Sequence, residues 1–143
     1  MESTLETPAF VVGRATPKTR AIVYWIVTTL FCLEMGFTAW YMLVVLPAGA
    51  QAITRLGFPP YFRIELAWAK LTGVLVLLAP VAARLKEWAY AGFAINLVSA
   101  LIAHRSMGDG LDALAPSAVT SVLWALSYFF WRGRQSMRSV QGT

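Results

Sequence analysis

The sequence predicts an all-α fold, an integral membrane four-helix bundle with its N and C termini both cytoplasmic. Three observations predict it. Of 143 residues, 58% are hydrophobic and only 13% are charged, with a mean hydropathy of +0.61, whereas a soluble domain carries about 25% charged residues. Four apolar segments alternate with turn-forming or broken stretches. The basic residues gather at one set of segment ends.

Residues 1–19 mix acids, prolines and threonines without periodicity and read as a flexible tail. Glu2 and Glu6 stand where a signal peptide would be basic, and the apolar run that follows is too long for a cleavable segment. That run, 21–46, extends about 39 Å as a helix, enough to cross a bilayer with tilt. The stretch 47–61 (PAGAQAITRLGFPPY) is too broken to span and reads as an interfacial turn or short helix. A second apolar segment occupies 63–80, with Pro80 as its stop and ARLKEW as a basic turn. The third runs over 88–104 and ends at MGDG. The fourth, 113–131, carries no charge, and residues 132–143 form a basic tail. One membrane domain, 20–131, thus lies between two tails.

Four spans put both termini on one side. Arg14, Lys18, Arg20, Arg84, Lys86, Arg132, Arg134 and Arg138 lie on that side, against Arg55, Arg63 and Arg105 on the other. The positive-inside rule makes the richer side cytoplasmic and the protein a multi-pass cell-membrane protein. The same flanking positions explain the net charge of +5 without nucleic acid as a partner. The lone Cys32 excludes an intrachain disulfide and a CxxC pair, and no ligand spacing points to a metal.

Three polar residues fall at similar depth: Glu34 on the first span, Lys70 on the second, Asn96 on the third. A charge at the bilayer centre costs about 2.5–3.5 kcal/mol on insertion scales, so such groups face the interior and find partners. A Glu34–Lys70 pair bridged by Asn96 would satisfy all three. Val27, Leu30, Phe31, Glu34, Thr38 and Tyr41 share one face of the first span, with Cys32 pointing away. Ala89, Gly92, Asn96, Ser99, Ala100 and Ala103 form a small-residue stripe suited to close helix approach. At the outer end Glu65, His104, Asp109 and Asp112 form a second cluster able to relay protons or grip a polar head group. Each residue also has a plain structural reading. Glu34 and Lys70 would be a packing ion pair, or Lys70 a snorkelling side chain. Asn96 would be interhelical glue, His104 an interfacial residue, and Trp25, Trp40, Trp88 and Trp131 interface anchors.

The combination of LGFPPYF, AKLTGVLVLLAP and LKEWAYAGFAINLVSALIAH, with YW opening the first span, resembles the DoxX-like family of small four-helix membrane proteins. The resemblance covers residues 20–131. It implies a polar signature at Lys70, Glu87, Asn96 and His104, with Glu34 and Glu65 as further members. The family takes its name from a membrane subunit of a thiosulfate:quinone oxidoreductase, and some relatives are linked to redox homeostasis. With one His and one Cys, this chain can supply neither bis-histidine haem ligation nor dithiol chemistry alone.

Two functions follow as expectations. One is an accessory or lipophile-binding subunit of a quinone-linked redox system. It has no intrinsic cofactor, takes quinone as its candidate ligand, and has membrane lipid, redox subunits or a second copy as partners. The other is a small membrane isomerase, cyclase or hydrolase acting on a lipophilic substrate. Glu34, Lys70 and His104 would be its catalytic groups, with Asn96, Glu65, Tyr41 and Asp109 binding the ligand. The sequence leaves catalysis itself open.

Overall fold

A computed structural model of the protein describes residues 16–44, 51 and 53–141. The described residues hold four long helices: α1 Pro17–Val44, α2 Phe62–Leu78, α3 Ala83–Ser106 and α4 Leu111–Gln141. Between α1 and α2, residues 53–55 are helical, as expected for part of the broken stretch 47–61. Residues 47–50 and 52 of that stretch, and 1–15 of the N-terminal tail, lie outside the described residues. No strand occurs among the described residues.

Each helix packs against two neighbours in a ring: α1 on α2 and α4, α3 on α2 and α4. Side-chain contacts fix the directions. Thr38 meets Lys70 while Met42 meets Arg63, so α2 runs back along α1. Thr28 meets Ser127 while Glu34 meets Thr120, so α4 is also antiparallel to α1. Across the ring, the rings of Phe31 and Phe93 meet edge to face at 5.0 Å and fill the centre.

Elementary helix signals set the ends. Phe58 stacks on Phe62 at 4.8 Å, fixing how LGFPPYF feeds into α2. Leu78 ends α2 before Ala79–Pro80, and the Lys86 ammonium donates to the Leu77 carbonyl at 2.7 Å, satisfying one of the orphan acceptors at that end. Gly108, at φ 71°, provides the left-handed residue that turns α3 into α4. Helix α4 continues through the basic segment to Gln141, so the stretch expected as a tail is largely helical.

Beside the apolar core, several polar side chains are buried while many large apolar ones face outward. Thr28, Arg63, Lys70, Thr120 and Ser127 are buried, while Leu75, Trp88, Ile95 and Phe129 are each about 70% exposed. Apolar side chains cover the outside of all four helices. Two stretches, Lys18–Val44 and Leu114–Ser136, are long and apolar enough to cross a membrane. Only 28% and 17% of their most apolar parts are buried, so neither behaves as the core helix of a soluble protein.

The inward face of α1 differs from the expected one. Tyr24, Thr28, Phe31, Cys32, Met35 and Ala39 are buried, while Leu30 and Tyr41 are exposed. Cys32 therefore lies in the core and does not point away from it. The side chains that fill the ring centre place the inward face about one residue, or 100°, round the helix from the expected face of Val27, Leu30, Phe31, Glu34, Thr38 and Tyr41. Trp131 is likewise a core residue and not an interface anchor, whereas Trp25, Trp40 and Trp88 are exposed.

Candidate functional site

Four positions on α2, Arg63, Ala67, Lys70 and Leu77, are buried, and their spacing of four, three and seven residues marks one helix face. Lys70 is on that face because the helix period places it there, and only 8% of the residue remains exposed. Its Nζ donates to Thr38 Oγ1 over a long 3.4 Å. The Thr38 hydroxyl in turn donates to the Met35 carbonyl at 3.0 Å, so its lone pairs are what Lys70 meets. An ammonium carries three N–H donors, and this contact occupies one of them weakly.

Lys70 also lines a groove of about 450 Å³ between α2 and α3. Gly73 and Phe93 form part of its wall, and Trp88 and Gly92 lie along α3. Asn96 lines the groove too, half-buried and making no side-chain hydrogen bond to the described residues. Gly73 gives the groove its shape: a Cβ there would stand 2.7 Å from the Phe93 ring. The rest of the lining is hydrocarbon and aromatic apart from Thr72, whose hydroxyl donates to the Trp68 carbonyl, so Lys70 and Asn96 carry the groove's unspent polarity.

Glu34 and Lys70 do not form the expected ion pair. Among the described residues the ion pairs are Arg55–Asp109, His104–Asp109 and Arg132–Glu87. The Thr120 hydroxyl donates to Glu34 Oε1 across the α1–α4 seam, and the Pro116 carbonyl lies 2.8 Å from the same hydroxyl. Glu34 and Thr38 are one turn apart on α1, about 6 Å along the axis. Lys70 thus feels the Glu34 charge through space while each group bonds to a threonine. Asn96 bridges neither group and faces the groove. The buried face of α3 is Tyr90, Phe93 and Leu97, with the small-residue stripe at its edge.

The outer cluster is smaller than expected. His104 Nδ1 lies 2.7 Å from Asp109 Oδ2, and Arg55 Nη2 donates to Asp109 Oδ1 at 2.5 Å. Gly108 and the backbone bond from Asp109 N–H to the His104 carbonyl, 3.1 Å, hold the carboxylate over the end of α3. The hydrogen bond to His104, then the Arg55 charge, holds Asp109 below the ordinary aspartate pKa. Glu65 and Asp112 are exposed and outside this cluster, and exposed Tyr41 is not brought to Lys70. Glu87 pairs with Arg132 at 3.0 Å. No group of three His, Cys, Asp or Glu side chains among the described residues is placed to hold a metal ion.

Reasoning from the sequence missed a buried hydroxyl network. Ser127 Oγ lies 2.7 Å from both Thr28 Oγ1 and Tyr90 Oη, and Trp124 Nε1 donates to the Tyr90 carbonyl at 3.0 Å. Thr120 and Ser127 are seven residues apart, two turns of α4, and that spacing of hydroxyls in an uncharged span was the available signal.

A family model described as the DoxX-like family matches residues 26–127, well over half of the chain. The chain belongs to the DoxX-like family. The matched stretch includes Glu34, Lys70, Asn96, His104 and Asp109, so the groove and the outer cluster both lie within the DoxX-like region. No curated protein and no solved structure matches the chain.

Proposed function

We propose that this DoxX-like protein is a multi-pass cell-membrane protein, a four-helix bundle with cytoplasmic termini. In this reading it binds a lipophilic molecule in the α2–α3 groove as an accessory subunit of a quinone-linked redox system. The observation that carries the reading is Lys70: a buried ammonium with one long hydrogen bond, lining an apolar groove. A charge so placed favours an acceptor oxygen carried on a hydrocarbon body. A quinone fits that chemistry and supplies two-electron acceptor capacity when bound. Lys70 would donate to one carbonyl, the Asn96 amide would meet a second polar group, and the groove walls would exclude water.

The enzymatic alternative needs Glu34, Lys70 and His104 in one constellation. Glu34 is engaged by Thr120, and His104 by Asp109. His104 also lies two turns beyond Asn96 on α3, about 12 Å along the axis. Binding is therefore the better supported role.

The test is titration of purified protein in detergent with a soluble ubiquinone analogue, read by quenching of tryptophan fluorescence, since Trp88 lines the groove. Wild type should quench saturably. Lys70→Met should weaken binding about tenfold or more, the loss expected for a hydrogen bond from a charged donor. Glu34→Gln should bind normally and stay folded, because its amide can donate to Thr120. Should Lys70→Met fail to fold, Asn96→Leu tests the same groove. Saturable binding that neither groove substitution alters would overturn the reading and leave Lys70 as a clamp between α2 and α1.

A further inference from the structure

A second cavity, of about 340 Å³, lies at the opposite end of the molecule from Asp109. Tyr24 and Trp131 line it, the α2–α3 corner at Pro80 contributes to its wall, and Lys86, Arg134 and Gln135 bring polar groups to it. No acidic residue lines it among the described residues. Its size falls within the range of small-molecule sites, about 300–1,000 Å³.

The two cations come from different helices and are held by different means. The Arg134 guanidinium sits 4.7 Å over the centre of the Tyr24 ring. A guanidinium held over a ring spends no N–H donor on a carboxylate there, and its N–H groups can form a forked bond to an oxyanion. The Lys86 ammonium is positioned by its bond to the Leu77 carbonyl. Arg132, two residues earlier on α4, shows the contrast: its charge is answered by Glu87 at 3.0 Å. Arg134 has an aromatic ring where Arg132 has a carboxylate, and no ion pair among the described residues includes it.

We infer that this cavity is a binding site for a phosphate-bearing anion, presented by the headgroup of an anionic phospholipid. Two fixed cations, a side-chain amide and an aromatic wall, with no carboxylate among the described lining residues, match a phosphodiester oxyanion attached to a less polar body. The cavity's place agrees with that source. Tyr24 is near the start of the apolar stretch Lys18–Val44, and Arg134 is near the end of Leu114–Ser136, the level at which headgroups meet hydrocarbon. Nothing in this inference depends on what occupies the α2–α3 groove.

The experiment uses the full chain in vesicles of phosphatidylcholine alone or of equal parts phosphatidylcholine and phosphatidylglycerol, followed by native mass spectrometry of retained lipid. Wild type should retain phosphatidylglycerol preferentially. Arg134→Gln should reduce that preference about fivefold, the effect of one basic side chain at an anionic surface. Arg132→Gln, which removes the same formal charge from a site already paired, should leave it unchanged. Arg134→Lys, keeping the charge without the fork, should fall between. Phosphorus NMR of the phosphatidylcholine sample with added inorganic phosphate separates the sources. Arg134-dependent broadening without lipid preference would assign the cavity to a soluble phosphate and overturn the lipid headgroup as its source. Equal loss in Arg132→Gln and Arg134→Gln, or no anion preference in wild type, would overturn the site.

Discussion

Asp109 joins three parts of the chain through one carboxylate: Arg55 from the segment before α2, His104 from the end of α3, and the turn into α4. Its side chain is only 7% exposed although it sits at the rim of the molecule. Because these partners lower its pKa, the folded state holds the ionised form more favourably than the unfolded chain does. The stabilisation is complete above the ordinary aspartate value of 3.8 and is lost as pH falls through the lower folded value. Thermal unfolding in detergent between neutral and strongly acidic pH should show an acid-side decline that is shallower in Asp109→Asn. Parallel curves for the two proteins would refute the coupling. The His104–Asp109 contact was legible because the two residues are five apart around a GDG turn. The assignment of Glu65 to the same cluster failed because nearness in depth says nothing about direction around the axis. Arg63 shows the same limit from the other side. It counted as a loop cation, yet it is buried on α2 and donates through Nη1 to the Met42 carbonyl.

At the scale of elements, existence and order were readable from apolar runs and stops, while rotation about the helix axis was not. The first span is apolar on every side, so hydropathy cannot choose its inward face; Phe31, Met35 and Ala39 do so by fitting against α2, α3 and α4. That freedom explains both Cys32 in the core and a Glu34 that faces Thr120 and not Lys70. The α2–α3 seam is set by size. Gly73 stands where a Cβ would meet two Phe93 ring atoms at 2.7 Å, and Phe93 is braced against Phe31 with 4% exposure. The ring is held by Phe31 on one side and could yield only by closing the groove that its other side lines, so Gly73→Ala should destabilise by about 1–3 kcal/mol through overpacking, outweighing the helix propensity Ala adds. Gly92, on the facing helix of the same groove, has nothing within 4 Å of its Cβ position. Gly92→Ala should therefore be neutral or stabilise by up to about 1 kcal/mol. Thermal melts of the two variants decide the matter: a rise in both would mean that the seam yields, and that Gly73 does not set the groove.

For the whole molecule, the antiparallel contacts bear on how many helices cross the membrane. Helix α2 has only 17 residues, about 26 Å as a helix against a hydrocarbon core of about 30 Å. Length alone would allow α2 and α3 to lie at one surface while α1 and α4 cross. Packing argues otherwise. Helix α2 runs back along α1 from Arg63 beside Met42, through Lys70 beside Thr38, to the corner at 79–81 that shares a cavity with Tyr24. If α1 crosses, the α2–α3 corner must return to the side where α1 began. Helix α3 then repeats the crossing outward, since its start adjoins that corner and its end carries His104 to Asp109. The proposed four crossings would also cover the apolar outer faces of α2 and α3, where Trp68, Leu75, Trp88, Ile95 and Ile102 are exposed. Single cysteines placed in a Cys32→Ala background, probed with a membrane-impermeant thiol reagent, distinguish the two arrangements. Ala82→Cys should label only from the cytoplasmic side, together with Ser136→Cys at the end of the apolar stretch Leu114–Ser136, and Gly110→Cys only from the outside. Labelling of Ala82→Cys from the outside would show that α2 and α3 do not cross, and would put the Lys70 groove at one membrane surface and not within the bilayer.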